Sequence, residues 1–64
     1  MAEYPYNEGD VYYTIEDGTI IESVWDDVSE EIFDTDKVYY DTLQEAYDDY
    51  ISRGEGLPKL SLLN

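Results

Sequence analysis

Carboxylates are the one kind of side chain that this sequence supplies in enough number to do chemistry. Asp and Glu account for 17 of 64 residues, against the three cations Lys37, Arg53 and Lys59, and there is no His or Cys. Two carboxylates at a set separation can hydrolyse a glycosidic bond, and several together can hold Ca²⁺ or Mg²⁺. The spacing favours neither. With so many acids, adjacent pairs arise from composition alone, and a sugar-cleaving cleft needs more chain than this. Asp34-Thr35-Asp36 and Asp26-Asp27 carry hard-oxygen ligands, but a calcium loop needs glycine at its sixth position. Counted from Asp34 that position is Tyr39, and counted from Asp26 it is Glu31. Thiol nucleophiles, thiolate zinc sites and disulfide scaffolds are excluded by composition. The expectation is a protein that is not an enzyme, with no catalytic residue, no cofactor and no dedicated metal site.

What remains is the charge itself, a formal −14. Self-repulsion on this scale opposes compaction, most strongly at low salt. It also exceeds the net charge of roughly 2–8 that keeps a small domain soluble. A halophilic origin would explain such acidity without any specific partner. The alternative is a surface built to meet something basic. The residues expected to form it are Glu22, Asp26, Asp27, Glu30, Glu31, Asp34 and Asp36, with Asp48 and Asp49 as a second group. Over the ~25–30 Å of a domain this long, duplex DNA presents about 15–18 charges, the same order as the 17 carboxylates. Exposed tyrosines or Trp25 would add desolvated anchors to that field.

Such a surface needs a folded support. Hydrophobic residues make up 42% and aromatics 16% of the chain, too many for a disordered acidic tail. A single acidic domain over residues 1–64 is expected. Residues 1–9 read as a lead-in packed through Tyr4 and Tyr6. Val11-Tyr12-Tyr13-Thr14-Ile15 and Ile20-Ile21-Glu22-Ser23-Val24-Trp25 are β-rich runs around Asp17-Gly18, a strong hairpin signal. Two registers compete. A two-residue turn pairs Ile15 with Ile20 and sets Glu22 on the face of Tyr13. A bulge at Gly18 instead gathers Val11, Tyr13, Ile15, Ile21 and Trp25 on one face, and the hydrophobic pattern favours this second register. Residues 26–36 form an acidic connection with a helical turn near Ser29, anchored by Phe33 or Ile32. Val38-Tyr39-Tyr40 is a short third strand. Thr42-Leu43-Gln44-Glu45 reads as a capping box that opens a helix. Its apolar stripe is Leu43, Ala46, Tyr47, Tyr50 and Ile51, and Gly54 closes it. Residues 55–64, with Leu57, Leu60, Leu62 and Leu63, add a fourth strand, cover the sheet or fray. The fold class is α+β: a small antiparallel sheet of three or four strands, hairpin first, with one C-terminal helix packed on it. Tyr13, Tyr47 and Tyr50 are placed in the core, some of Tyr12, Tyr39 and Tyr40 face outward, and Trp25 is read as a core or sheet-edge residue.

The run from Asp10-Val11-Tyr12-Tyr13-Thr14-Ile15-Glu16-Asp17-Gly18-Thr19 to Trp25-Asp26-Asp27, with Val38-Tyr39-Tyr40-Asp41-Thr42-Leu43-Gln44-Glu45-Ala46, covers about two thirds of the chain. In size, acidity and layout it resembles the small bacteriophage proteins that inhibit host defence by DNA mimicry. These include anti-CRISPR proteins, anti-restriction proteins and inhibitors of DNA-repair glycosylases. The resemblance lies in style and carries over no functional residue. It implies an inhibitor that sits in the positively charged DNA channel of a Cas effector, in the bacterial host cytoplasm. The expected partner is a basic DNA-binding protein, with no direct nucleic-acid or membrane contact and with the chain as a monomer or homodimer. An acidic module that binds a basic transcription factor or polymerase subunit is the alternative.

Overall fold

The computed structural model describes residues 3–63. Its centre is the hairpin of β1 (Val11–Glu16) and β2 (Thr19–Val24), two runs of β-branched and aromatic residues. Asp17 and Gly18 both have positive φ, 51° and 72°. This is the two-residue turn whose twist matches that of the strands. Glu16 therefore pairs with Thr19, Ile15 with Ile20, Tyr13 with Glu22 and Val11 with Val24. The bulged register favoured by the hydrophobic pattern is not adopted. That pattern counted Glu22 as a defect on the Tyr13 face, yet the Tyr13 hydroxyl donates to Glu22 Oε2 at 2.5 Å. A cross-strand hydrogen bond thus removes the objection. Asp17 meanwhile accepts a left-handed backbone that most residues resist. Gly18 is required twice over, since a Cβ there would lie 3.3 Å from the Tyr50 hydroxyl.

The hairpin buries both faces, with different chemistry on each. On one, Ile20, Tyr40 and Ala46 form a core flanked by Tyr13, Ile15, Leu43 and Tyr47. Helix α2 (Leu43–Ser52) supplies Ala46 and Tyr50 as its buried residues. Thr42 caps it, its hydroxyl accepting from Glu45 N at 3.1 Å. The same hydroxyl donates to Glu45 Oε1. The Glu45 carboxylate thus meets the cap side chain and not the Thr42 backbone N–H expected of a full capping box. Gly54 follows the helix with φ 75° and donates to Ile51 O, as a C′ glycine does.

Alternation sends Tyr12 and Trp25 to the other face. There Tyr4, Tyr6, Tyr12, Phe33 and Tyr39 surround Trp25 with ring centroids 5.4–6.4 Å away. Tyr6 stacks on Tyr12. Trp25 is 1% exposed. This places it in the core, and its indole Nε1 has no hydrogen-bond acceptor among the described residues. The lead-in does pack through its tyrosines, and Phe33, not the exposed Ile32, anchors the connection. Tyr12 and Tyr40 are buried and Tyr39 half-buried, because both faces of the hairpin are covered.

Between hairpin and α2 runs the short helix α1 (Asp27–Ile32), started by a reciprocal cap. Asp26 Oδ1 accepts from Ser29 N at 3.0 Å, and Ser29 Oγ accepts from Asp26 N at 3.2 Å. Of the expected third strand only Tyr40 pairs, as an isolated antiparallel bridge with Tyr13. Turn bonds from Asp34 hold the residues before it, and the extended Thr42 cap follows at once. β3 (Lys59–Ser61) joins the outer edge of β2, giving the order β1-β2-β3. It runs parallel to β2, with Thr19 opposite Lys59, so the sheet is mixed. The last turns of α2 bring the chain to the hairpin turn at Gly18. The returning strand then starts beside Thr19 and runs in the direction of β2. The α+β layout with the hairpin first and α2 packed on the sheet is the one expected.

Candidate binding surface

Three of the nine expected surface carboxylates are occupied by the fold. Glu22 accepts from the Tyr13 hydroxyl and, at 2.8 Å, from Leu63 N, tying both hairpin strands to the segment after β3. Asp26 caps α1. Asp49 accepts from the Tyr40 hydroxyl and from Arg53 at 3.0 Å. The Tyr40 bond and then Arg53 hold the Asp49 carboxyl below its ordinary range. Burial first, and then the bond to Asp49, pushes the Tyr40 hydroxyl upward. Asp34 and Asp48 are engaged locally, with Asp36 N and Gln44 Nε2 respectively. Asp27, Glu30, Glu31 and Asp36 are exposed, and their side chains make no hydrogen bond among the described residues.

The nine do not form one surface. Asp48 and Asp49 ride on α2, on the Ile20 side of the hairpin. α1 belongs to the Trp25 side, where Ser29 lies 3.3 Å from the Tyr12 hydroxyl. Asp34 and Asp36 lie in the connection that leads back toward Glu16, where Lys37 Nζ meets Glu16 Oε2 at 2.7 Å.

The structure does gather a different acidic set at the open end of the hairpin. Gly9 N donates to Trp25 O and Trp25 N to Asp10 O, at 2.9 and 2.8 Å. The segment before β1 is thereby clasped to the one after β2. This brings the chain at Glu8 and Asp10 alongside that at Asp26 and Asp27, with Asp10 Oδ2 accepting from Asn7 N at 2.9 Å, and Glu30 and Glu31 follow within one helical turn of Asp27. On α1, Asp27, Glu30 and Glu31 are three and four residues apart and so share a face. Glu8 and Asp10 were missed in the sequence. Hairpin pairing was the available signal, since residues just before the first strand lie beside those just after the second. Exposed among these acids are Val28 and Ile32, four residues apart and 59% and 66% exposed. Trp25 and Tyr12, by contrast, are buried.

Lys37 and Lys59 lie toward the turn, and Arg53 pairs with Asp49 on α2. Lys37 binds Glu16 beside the turn, and the Glu16 carboxylate raises the lysine pKa. Lys59 pairs with Thr19 in the sheet. Arg53 follows Tyr50, the residue that reaches Gly18. None of Glu8, Asp10, Asp27, Glu30 and Glu31 makes an ion pair among the described residues. The whole molecule measures 39 Å along its longest axis, over which duplex DNA would carry about 23 charges. The 17 carboxylates fall short of that density overall.

No cavity is present, and no three carboxylates stand close enough to share a metal ion among the described residues. No helix among them is long and apolar enough to cross a membrane. No protein family, curated protein or solved structure matches the chain.

Proposed function

We propose that this chain is a DNA-mimicking inhibitor that places the open end of its hairpin in the positively charged nucleic-acid channel of a DNA-binding protein. A host CRISPR–Cas effector is the leading target. Anti-restriction and DNA-repair targets use the same chemistry. The observation that carries the reading is the collection of Glu8, Asp10, Asp27, Glu30 and Glu31 at the open end, none of them in an ion pair among the described residues. Carboxylates there replace phosphates against Lys and Arg, while Val28 and Ile32 give the contact a small desolvated centre.

The test is inhibition of target-DNA binding by a panel of Cas effectors, measured with and without excess non-target duplex. A mimic loses potency as competing duplex is added. Reversal of Glu8, Asp27, Glu30 and Glu31 to Lys spares the Asp26 cap. At roughly 1 kcal/mol for each exposed ion pair, it is expected to weaken inhibition about a thousandfold. Unchanged inhibition by the reversed protein would sink the open-end assignment. Inhibition insensitive to competing duplex would move the chain to the class of acidic interaction modules.

A further inference from the structure

We infer that the outer edge of β3 pairs with the same edge of a second copy of this chain, about a two-fold axis through Leu60. Residues 56–64 are the longest stretch without a carboxylate, and their only charge is Lys59. The other 55 residues hold all 17 carboxylates, so a second −14 chain meets least like charge here. Within this stretch Leu57, Leu60, Leu62 and Leu63 are 78%, 49%, 47% and 46% exposed. A basic partner finds its complement on the carboxylates. The carboxylate-free leucine edge has its best match in itself.

The backbone register supports the same occupant. In a parallel ladder, alternate residues turn both N–H and C=O to the same neighbour. Lys59 N donates to Gly18 O at 2.9 Å, which makes Lys59 and Ser61 the residues facing β2. Leu60 then presents both its groups outward, and the alternation continues to Pro58 and Leu62. Antiparallel pairing centred on Leu60 sets Leu60 against its own copy, where the two exchange both bonds. It also sets Leu62 against Pro58. Each Leu62 N–H finds a Pro58 carbonyl, and the N–H that proline lacks is the only donor missing. The register thus satisfies all the outward donors of these residues.

The edge is short, below the ~800 Å² per partner of a standard interface, and two anionic bodies must approach each other. The dimer is therefore weak and strengthened by salt, with a dissociation constant on the order of 100 μM. This inference stands apart from DNA mimicry and survives its failure.

Sedimentation equilibrium up to about 1 mM protein, at low salt and at about 0.5 M NaCl, tests it. The expected result is a monomer–dimer equilibrium that shifts toward dimer with salt. The chain is short enough for chemical synthesis, so Leu60 can be N-methylated, which removes one outward donor and leaves the bonds to β2. That protein and Leu60→Lys should both dimerise at least tenfold more weakly, with an unchanged near-ultraviolet circular dichroism spectrum. A wild-type chain that stays monomeric at high salt overturns the inference, as does a dimer indifferent to N-methylation. If the edge variants lose inhibition while the wild type stays monomeric, the edge belongs to the target and not to a second copy.

Discussion

The two ends of the hairpin are built by opposite means. At the turn end the chain closes on itself through two residues, and side chains from elsewhere gather round. Tyr50 approaches Gly18, Lys37 binds Glu16, and β3 starts beside Thr19. At the open end a pair of backbone hydrogen bonds between Gly9–Asp10 and Trp25 clasps two segments that diverge, over a cluster of six aromatic rings. The turn end pairs Lys37 with Glu16. The open end gathers acids that make no ion pair among the described residues, over the aromatic cluster. The difference teaches that aromatic burial here serves chiefly to hold like charges together, since a sheet this small has few other ways to oppose their repulsion.

The largest effect should come from removing that support. Trp25→Ala is expected to destabilise the fold by about 3–5 kcal/mol, enough to unfold most domains this small, as read by urea titration. A loss below about 1 kcal/mol would show that the clasp, not the ring cluster, holds the open end. At the turn end, Gly18→Ala meets both a positive φ and the Tyr50 hydroxyl. It should cost about 1–2 kcal/mol and leave inhibition by the folded fraction intact.

Asp26 separates charge from structure at the open end. Asp26→Ala should lose about 1 kcal/mol with the cap, while Asp26→Asn keeps the cap and should change stability little. Equal losses in both would mean that the Asp26 charge, and not its cap, stabilises α1.

The smallest effects are those of pH. The hydroxyls of Tyr6, Tyr13 and Tyr40 are all raised, Tyr6 and Tyr40 chiefly by burial and Tyr13 chiefly by its bond to Glu22. The fold thus favours their neutral forms. That contribution is complete below the ordinary tyrosine value near 10 and is lost as pH rises from there through the higher folded values. Asp49 is lowered, so its contribution is present above the ordinary carboxylate value and disappears as pH falls through the lower folded one. Spectrophotometric titration of tyrosinate, with unfolding followed in parallel, should show three late hydroxyls. Simultaneous ionisation of all the tyrosines would contradict these bonds.

Much of the fold was legible because its signals are local. Asp17-Gly18 marked the hairpin, Thr42 and Gly54 bounded α2, and Tyr4 and Tyr6 betrayed a packed lead-in. What was not legible depends on partners distant in sequence. Glu22 looked misplaced opposite Tyr13 until the hydroxyl was seen to bond it, and that misreading led to the bulged register. β3 is too short to show alternation, and its direction is set by where α2 ends. The candidate surface was half legible. Of the acids expected to meet a partner, Asp27, Glu30, Glu31 and Asp36 are exposed and make no side-chain hydrogen bond among the described residues. Glu22 and Asp49 could not be recognised as structural without the tyrosines that reach them, and Glu8 and Asp10 come into place only through the clasp.

Trp25 is the only tryptophan among eight tyrosines, and it lies at the centre of the aromatic cluster with four of them around it. The protein therefore contains its own optical gauge. Light absorbed by the surrounding phenols is passed to a single indole held away from water, and its emission colour registers whether the ring cluster is intact. Opening of the ring cluster can be followed in real time on the unlabelled chain.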